Sequence, residues 1–179
     1  MPSDVLVVAA TERELVSVEG AAALVCGIGP VEAAAATARA LAERRPSAVL
    51  HVGIAGARGI APLGLVLGSE AVYCDAAGPL VTATALPDAP LLARLRDAFP
   101  GAHVAPIGTS ARVGGGSVEV EAMEGFAVLR AAELAGVPAV EARVVSNELG
   151  ERDRALWRFE EAFARLAELL PRLVAAARE

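Results

Sequence analysis

The chain has 179 residues, 55% apolar and 21% charged, enough for one folded domain (1–179) with its own core and too apolar for disorder. All 16 cations are arginine and the net charge is −6, so there is no basic field for nucleic acid. The lack of lysine excludes Schiff-base chemistry and a Walker phosphate loop, the scattered His51, His103, Cys26 and Cys74 argue against a tetrahedral zinc site or a redox pair, and no metal or organic cofactor is implied.

Asp4–Ala10 and Ala21–Cys26 read as short buried strands, and Val31–Arg44 as a helix that ends before Pro46. Ala48–Val52 is a strand running into Gly53-Ile54-Ala55-Gly56. Leu65–Cys74 and Leu80–Ala85 are strand-like, and Pro90–Phe99 is a helix stopped by Pro100-Gly101. Ala102–Ile107 is a strand before the glycine-rich Gly108–Ser117. Val118–Met123 alternates as a strand does, and Phe126–Ala135 is a helix closed by Gly136. Pro138–Val145 is a further strand, and Asp153–Ala177 a long amphipathic helix. The order implies an α/β fold of three layers, a central mixed β-sheet flanked by helices. The longest run free of charged residues, Ala98–Ala111, is too short for a membrane span. Met1–Thr11 carries Asp4 where a secretion signal has a cation, so a cytoplasmic protein with reduced cysteines is expected.

Ligands in open α/β sheets bind beyond the carboxyl ends of the strands. Those ends carry Glu12 and Glu14, Gly27-Ile28-Gly29, Gly53–Gly56, Glu124, and Ser146-Asn147. From spacing alone a helix N-terminus explains Glu12 and Glu14 better than catalysis does, Glu124 can serve the helix after it in the same way, and the glycines read first as tight turns. A dinucleotide fingerprint fails because Glu32 stands where its third glycine belongs. Asn147 is the only asparagine in a chain without glutamine. It sits at a strand end, where a turn cap is the competing reason for it.

Five segments then occur in a familiar order: Ala9-Ala10-Thr11-Glu12-Arg13-Glu14-Leu15, Cys26–Ala34, Val52–Gly56, Glu121-Ala122-Met123-Glu124-Gly125 and Val144-Val145-Ser146-Asn147. Together they resemble the nucleoside phosphorylase and nucleosidase superfamily over nearly the whole chain. Met-Glu-Gly, Ser-Asn and Arg152-Asp153-Arg154-Ala155-Leu156-Trp157 are most similar to futalosine hydrolases, the nucleosidases of the menaquinone pathway.

The resemblance implies a phosphorylase-type fold and hydrolysis of a purine nucleoside by a homo-oligomer. Glu14 matches the carboxylate that handles the attacking water, with Glu12 open as the counterpart. Glu124 matches the group on the ribose hydroxyls, Met123 packs beside the sugar, and Ile54 is a further substrate-binding position. The loop at Val113 matches the segment that contacts the base through its backbone. Asn147 matches the residue facing the purine. A carboxamide donates to N7 and to a 6-oxo oxygen, which points to hypoxanthine as the released base and futalosine as the substrate. Arg58, Arg112 and Arg152 are candidates for the benzoate carboxylate of that substrate. Phosphorylases of this fold carry Arg-Val-Gly-Ser where this chain has His51-Val52-Gly53-Ile54, so the phosphate site looks lost and water is the expected nucleophile. The chain is short for the family after Glu14 and between Asp75 and Pro90, which implies a more open pocket or one closed by a neighbouring subunit. A methylthioadenosine/S-adenosylhomocysteine nucleosidase releasing adenine, and a nucleoside-binding protein without turnover, are the alternatives.

Overall fold

The computed structural model describes residues 4–178 apart from Ser17, Glu19 and Ala77. Met1–Ser3, part of the segment read for a targeting signal, lie outside the described residues. Among the described residues the elements run β1 (Val5–Ala9), β2 (Ala22–Val25), α1 (Pro30–Glu43), β3 (Ala48–Ala57), β4 (Leu65–Tyr73) and β5 (Thr84–Ala85). There follow α2 (Ala89–Ala98), β6 (His103–Thr109), β7 (Val120–Ala122), α3 (Gly125–Ala135), β8 (Ala139–Glu148) and α4 (Phe159–Arg178). Single 3-10 turns cover Glu12–Glu14 and Arg154–Leu156.

Local chemistry sets the helix ends. Pro30 opens α1, and the Asp88 carboxylate caps α2 by accepting from the Leu91 N–H at 2.9 Å. Gly136 closes α3 in the left-handed conformation. Along α4, Ala162, Leu166, Leu170, Leu173 and Val174 are buried at helical spacing.

β1 lies between β2 and β3, parallel to both. β8 runs parallel to β3 along its other edge and antiparallel to β4. β4 is parallel to β6, β6 to β7, and β7 returns antiparallel to β3 at Gly56 and Ala57. The mixed sheet therefore closes a circuit through β3, β8, β4, β6 and β7, filled by small and branched side chains such as Ala55, Ala57, Ile107, Val120 and Val145. α2 and α4 cover one face, with Leu91, Leu95, Leu166 and Leu170 on Val7, Leu50 and Val144. α1 and α3 cover the other, with Ala33, Leu41 and Val128 on Leu6, Val8 and Val49. The three layers expected from alternation are present, and the closure is an addition to them. No helix among the described residues is long and apolar enough to cross a membrane.

Several boundaries differ from the sequence expectation. β3 does not stop at Val52 but continues through Gly53–Gly56 to Ala57, because β8 pairs with it along that length and β7 takes the far edge. The strand expected over Leu80–Ala85 reduces to Thr84–Ala85, with Leu80 and Val81 exposed. The last helix begins at Phe159, because Asp153 caps a separate turn by accepting from the Ala155 N–H at 3.0 Å.

Candidate active site

A cavity of about 310 Å³ opens at the carboxyl ends of β1, β3 and β8. Glu14, Ile54, Val113, Met123, Glu124 and Asn147, the residues singled out in the sequence, all line it. Glu12 is exposed and off the cavity wall, so of the two glutamates only Glu14 faces the cavity.

Glu14 ends the turn after β1 and is 5% exposed. Its Oε2 accepts from the backbone N–H and the hydroxyl of Thr11, both at 2.9 Å, and its Oε1 accepts from the Ile54 N–H at 3.3 Å. The same Thr-x-x-Glu spacing that caps the turn therefore aims the carboxylate at β3. Glu124, just before α3, is also buried. Its Oε1 accepts from the Gly29 N–H at 3.1 Å, and its Oε2 from Arg143 Nη2 at 3.3 Å.

Arg143 is the residue that sequence reasoning missed. It lies on β8 opposite Gly53, is 1% exposed, and lines the cavity. Its Nε donates to Glu141 Oε1 at 2.8 Å, and its Nη2 also meets His51 Nε2. Burial works against the guanidinium charge, but Glu141, Glu124 and Glu14 outweigh it and hold the pKa up. The close approach is possible because residue 53 is glycine. A Cβ there would run into Arg143 Nη1 and lie 2.6 Å from Glu14 Oε1.

A guanidinium thus does reach the site, which corrects the reading that none is present, but it comes from β8 and its positive charge is already matched. His51 is fully buried, donates from Nδ1 to the Val8 carbonyl at 2.9 Å, and accepts from Arg143 at Nε2. Burial, and then the charge of Arg143, push its pKa well below 6.5, so the ring is neutral. Glu141 is pushed up from 4.5 by burial, against the pull of Arg143, and its Oε2 has no hydrogen-bond partner among the described residues. Burial, reinforced by Glu124 and Glu14, raises the Cys26 thiol to about 12, so it remains a protonated packing residue.

Asn147 owes its place to an irregularity. Ala55 pairs with Val145 but Gly56 pairs with Asn147, so β8 carries an extra residue at Ser146. Such a bulge re-aims side chains beside it. The Ser146 hydroxyl donates to Asn147 Oδ1 at 2.8 Å and Asn147 Nδ2 donates to the Glu148 carbonyl at 3.2 Å, which fixes the carboxamide and leaves one Nδ2 hydrogen for a ligand. Asn147 is 8% exposed on the cavity wall.

The outer wall is aromatic. The chain has only four Phe, one Trp and one Tyr, and Trp157, Phe159 and Phe163 all line this one cavity. Trp157 and Phe159 meet edge to face with centroids 5.3 Å apart. Arg154 lies over the Trp157 ring and has no carboxylate partner among the described residues, whereas Arg13 is tied to Glu160. Arg58, Arg112 and Arg152 are exposed and do not line the cavity, so the expectation placed on them moves to Arg154. The sequence signal for Arg154 is its place three residues before the only tryptophan.

A family model of the phosphorylase superfamily matches residues 11–115. The chain belongs to that superfamily. Among its superfamily relatives is a futalosine hydrolase of Streptomyces coelicolor, 36% identical over 181 residues that cover 84% of this chain and 77% of the relative. A futalosine hydrolase of Acidothermus cellulolyticus is 37% identical over 184 residues, covering 86% and 75%. In fold the chain matches a 5′-methylthioadenosine/S-adenosylhomocysteine nucleosidase of S. pneumoniae held with a transition-state inhibitor. That match has a TM-score of 0.84 at 19% identity and covers 97% of this chain and 99% of the other. With futalosine hydrolases as its relatives in sequence, this superfamily member is a nucleosidase, an N-glycosyl hydrolase.

Proposed function

We propose that the protein hydrolyses the N-ribosidic bond of futalosine and releases hypoxanthine. The observation that carries this reading is the convergence of Glu14, Glu124 and Asn147 on one cavity whose far wall is aromatic and ends in Arg154. Breaking the bond sends its electron pair to the purine and leaves positive charge on the sugar, as in glycoside hydrolysis. Buried carboxylates beside the sugar stabilise that charge. Glu14 accepts a proton from water as the water oxygen bonds to the anomeric carbon, Glu124 holds the ribose hydroxyls, and Met123 packs beside them. Asn147 turns its remaining Nδ2 hydrogen to the departing base, shared between N7 and the 6-oxo oxygen, and the base takes up its proton from solvent.

Water rather than phosphate fits the charge. Glu14, Glu124 and Glu141 surround one guanidinium, which is already bonded to two of them. A phosphate would enter against uncompensated carboxylates. The aromatic wall suits the aryl group that futalosine carries on its sugar side, and Arg154 suits its carboxylate. Exposed Ile28 and Val113 on the cavity rim, together with exposed Val31 in the first turn of α1, favour a homo-oligomer in which a neighbour covers the opening. The test is incubation with futalosine, inosine and methylthioadenosine in buffer with and without phosphate, with the released bases resolved by chromatography. Hypoxanthine from futalosine without dependence on phosphate is expected. Faster release of adenine from methylthioadenosine would refute the reading.

A further inference from the structure

Glu121 takes no part in handling water or gripping the sugar, yet it is buried to 8% exposure on the wall of the same cavity. Strand register explains its position. Gly56 of β3 pairs with Glu121 of β7 across one edge and with Asn147 of β8 across the other. Neighbouring strands lie about 4.8 Å apart, so these two residues flank the glycine at about 10 Å from one another. Both side chains reach the wall of the one cavity, so a base lying between them meets one at each edge. Gly56 leaves room for the Asn147 carboxamide beside it, since a Cβ there would lie 3.0 Å from both Asn147 Nδ2 and Leu149 Cδ2.

The two sides are chemically opposite. Asn147 presents a donor: its Oδ1 is turned to the Ser146 hydroxyl, and its Nδ2 keeps one N–H beyond the one given to the Glu148 carbonyl. Glu121 presents only acceptors. Its Oε1 takes the Gly114 N–H at 2.5 Å and its Oε2 the Gly116 N–H at 2.7 Å, and each oxygen keeps a further lone pair. A purine that matches both sides offers an acceptor at position 6 and an N–H at position 1, as a 6-oxopurine does. A 6-aminopurine turns a lone pair at N1 toward the carboxylate and is repelled.

We infer that Glu121 is a specificity-determining residue that accepts the N1–H of the 6-oxopurine, while its bonds to Gly114 and Gly116 seat the Val113 loop against the base. This rests on the base assignment proposed above and supplies its second wall. Selectivity then has an attractive part at both edges and a repulsive part at N1.

The test compares kcat/KM for futalosine and its 6-amino counterpart, which differ only at ring positions 1 and 6, in the wild type and Glu121→Gln. In parallel, the wild type is inhibited with hypoxanthine and with 1-deazahypoxanthine, in which C–H replaces N1–H. Glu121→Gln is expected to lose about tenfold to a hundredfold on futalosine. The 6-amino compound should be far less affected, because the glutamine amide can donate to its N1. 1-Deazahypoxanthine is expected to inhibit at least about tenfold more weakly than hypoxanthine. Equal losses on both nucleosides would reduce Glu121 to a loop latch and overturn the inference. Equal inhibition by the two bases would overturn it too, and that arm needs no variant. A wild type that prefers the 6-amino nucleoside would overturn the base assignment itself, and this inference with it. Hypoxanthine release with an unchanged Glu121→Gln ratio removes only the role of Glu121.

Discussion

Gly53→Ala is the smallest change that should disable the site. The added methyl would press on Arg143 Nη1 and stand 2.6 Å from Glu14 Oε1, where ordinary contact begins at 3.4 Å. Neither neighbour can retreat freely. Arg143 is held by Glu141 at 2.8 Å and Glu124 at 3.3 Å, and Glu14 by two bonds of 2.9 Å to Thr11. Overpacking by a methyl costs about 1–3 kcal/mol, and this closed network places the variant toward the upper end. Moving a reacting group by about 1 Å can cost about a hundredfold in rate. Urea unfolding should therefore show the stability loss, and steady-state hydrolysis of futalosine a fall in kcat larger than any change in KM. Gly101→Ala, where an added Cβ meets nothing within 4 Å, is the control and should change neither. A Gly53→Ala enzyme with wild-type stability and kcat would refute the idea that this network is tightly packed around the reaction.

Arg143→Met leaves Glu141 and Glu124 buried without their cation and should cost about 3–5 kcal/mol in urea unfolding. Arg143→Lys should recover little of this, because an ammonium lacks the fork that reaches both carboxylates. Asn147→Asp should lower kcat/KM for futalosine by about tenfold or more and shift the ratio toward its 6-amino counterpart; an unchanged ratio would remove Asn147 from base recognition. For pH, His51 has a depressed pKa, so its contribution is present above 6.5 and is lost as pH falls below it, when the unfolded chain takes up a proton that the native ring refuses. Glu141, raised from 4.5, works the other way: its contribution is full below 4.5 and is lost as pH rises through the raised value. Glu141→Gln removes the second effect, so as pH falls toward 4.5 its stability should fall more steeply than that of the wild type, by up to about 1.4 kcal/mol per pH unit. Parallel curves for the two proteins would contradict this assignment.

Much of this was legible in the sequence, because periodicity and strand-end chemistry are local. Glu14, Glu124 and Asn147 each follow an apolar run that ends in a loop, and the rule that ligands gather at such ends is enough to group them. What escaped depends on pairing between distant segments. β3 looks finished at Val52 because Gly53 and Gly56 are weak strand residues, and only β7 and β8 alongside explain their pairing. Arg143 was passed over as one charge inside an apolar strand. Its signal was present nonetheless: Glu141 and Arg143 stand two apart, on one face, in a strand buried at every position up to Asn147. Burying two charges is costly enough that such a pair marks a site. The placement of Glu121 opposite Asn147 was hidden for a different reason, since it needs the register of three strands at once.

The aromatic wall has a practical consequence. Trp157 is the only indole in the chain, and it sits half-buried on the rim of the cavity with its Nε1–H held by the Glu151 carbonyl at 3.1 Å. Intrinsic fluorescence therefore reports from a single known point. A ligand settling there displaces water from the emitter itself, so titrations can be followed by light with no dye attached and no second tryptophan to subtract.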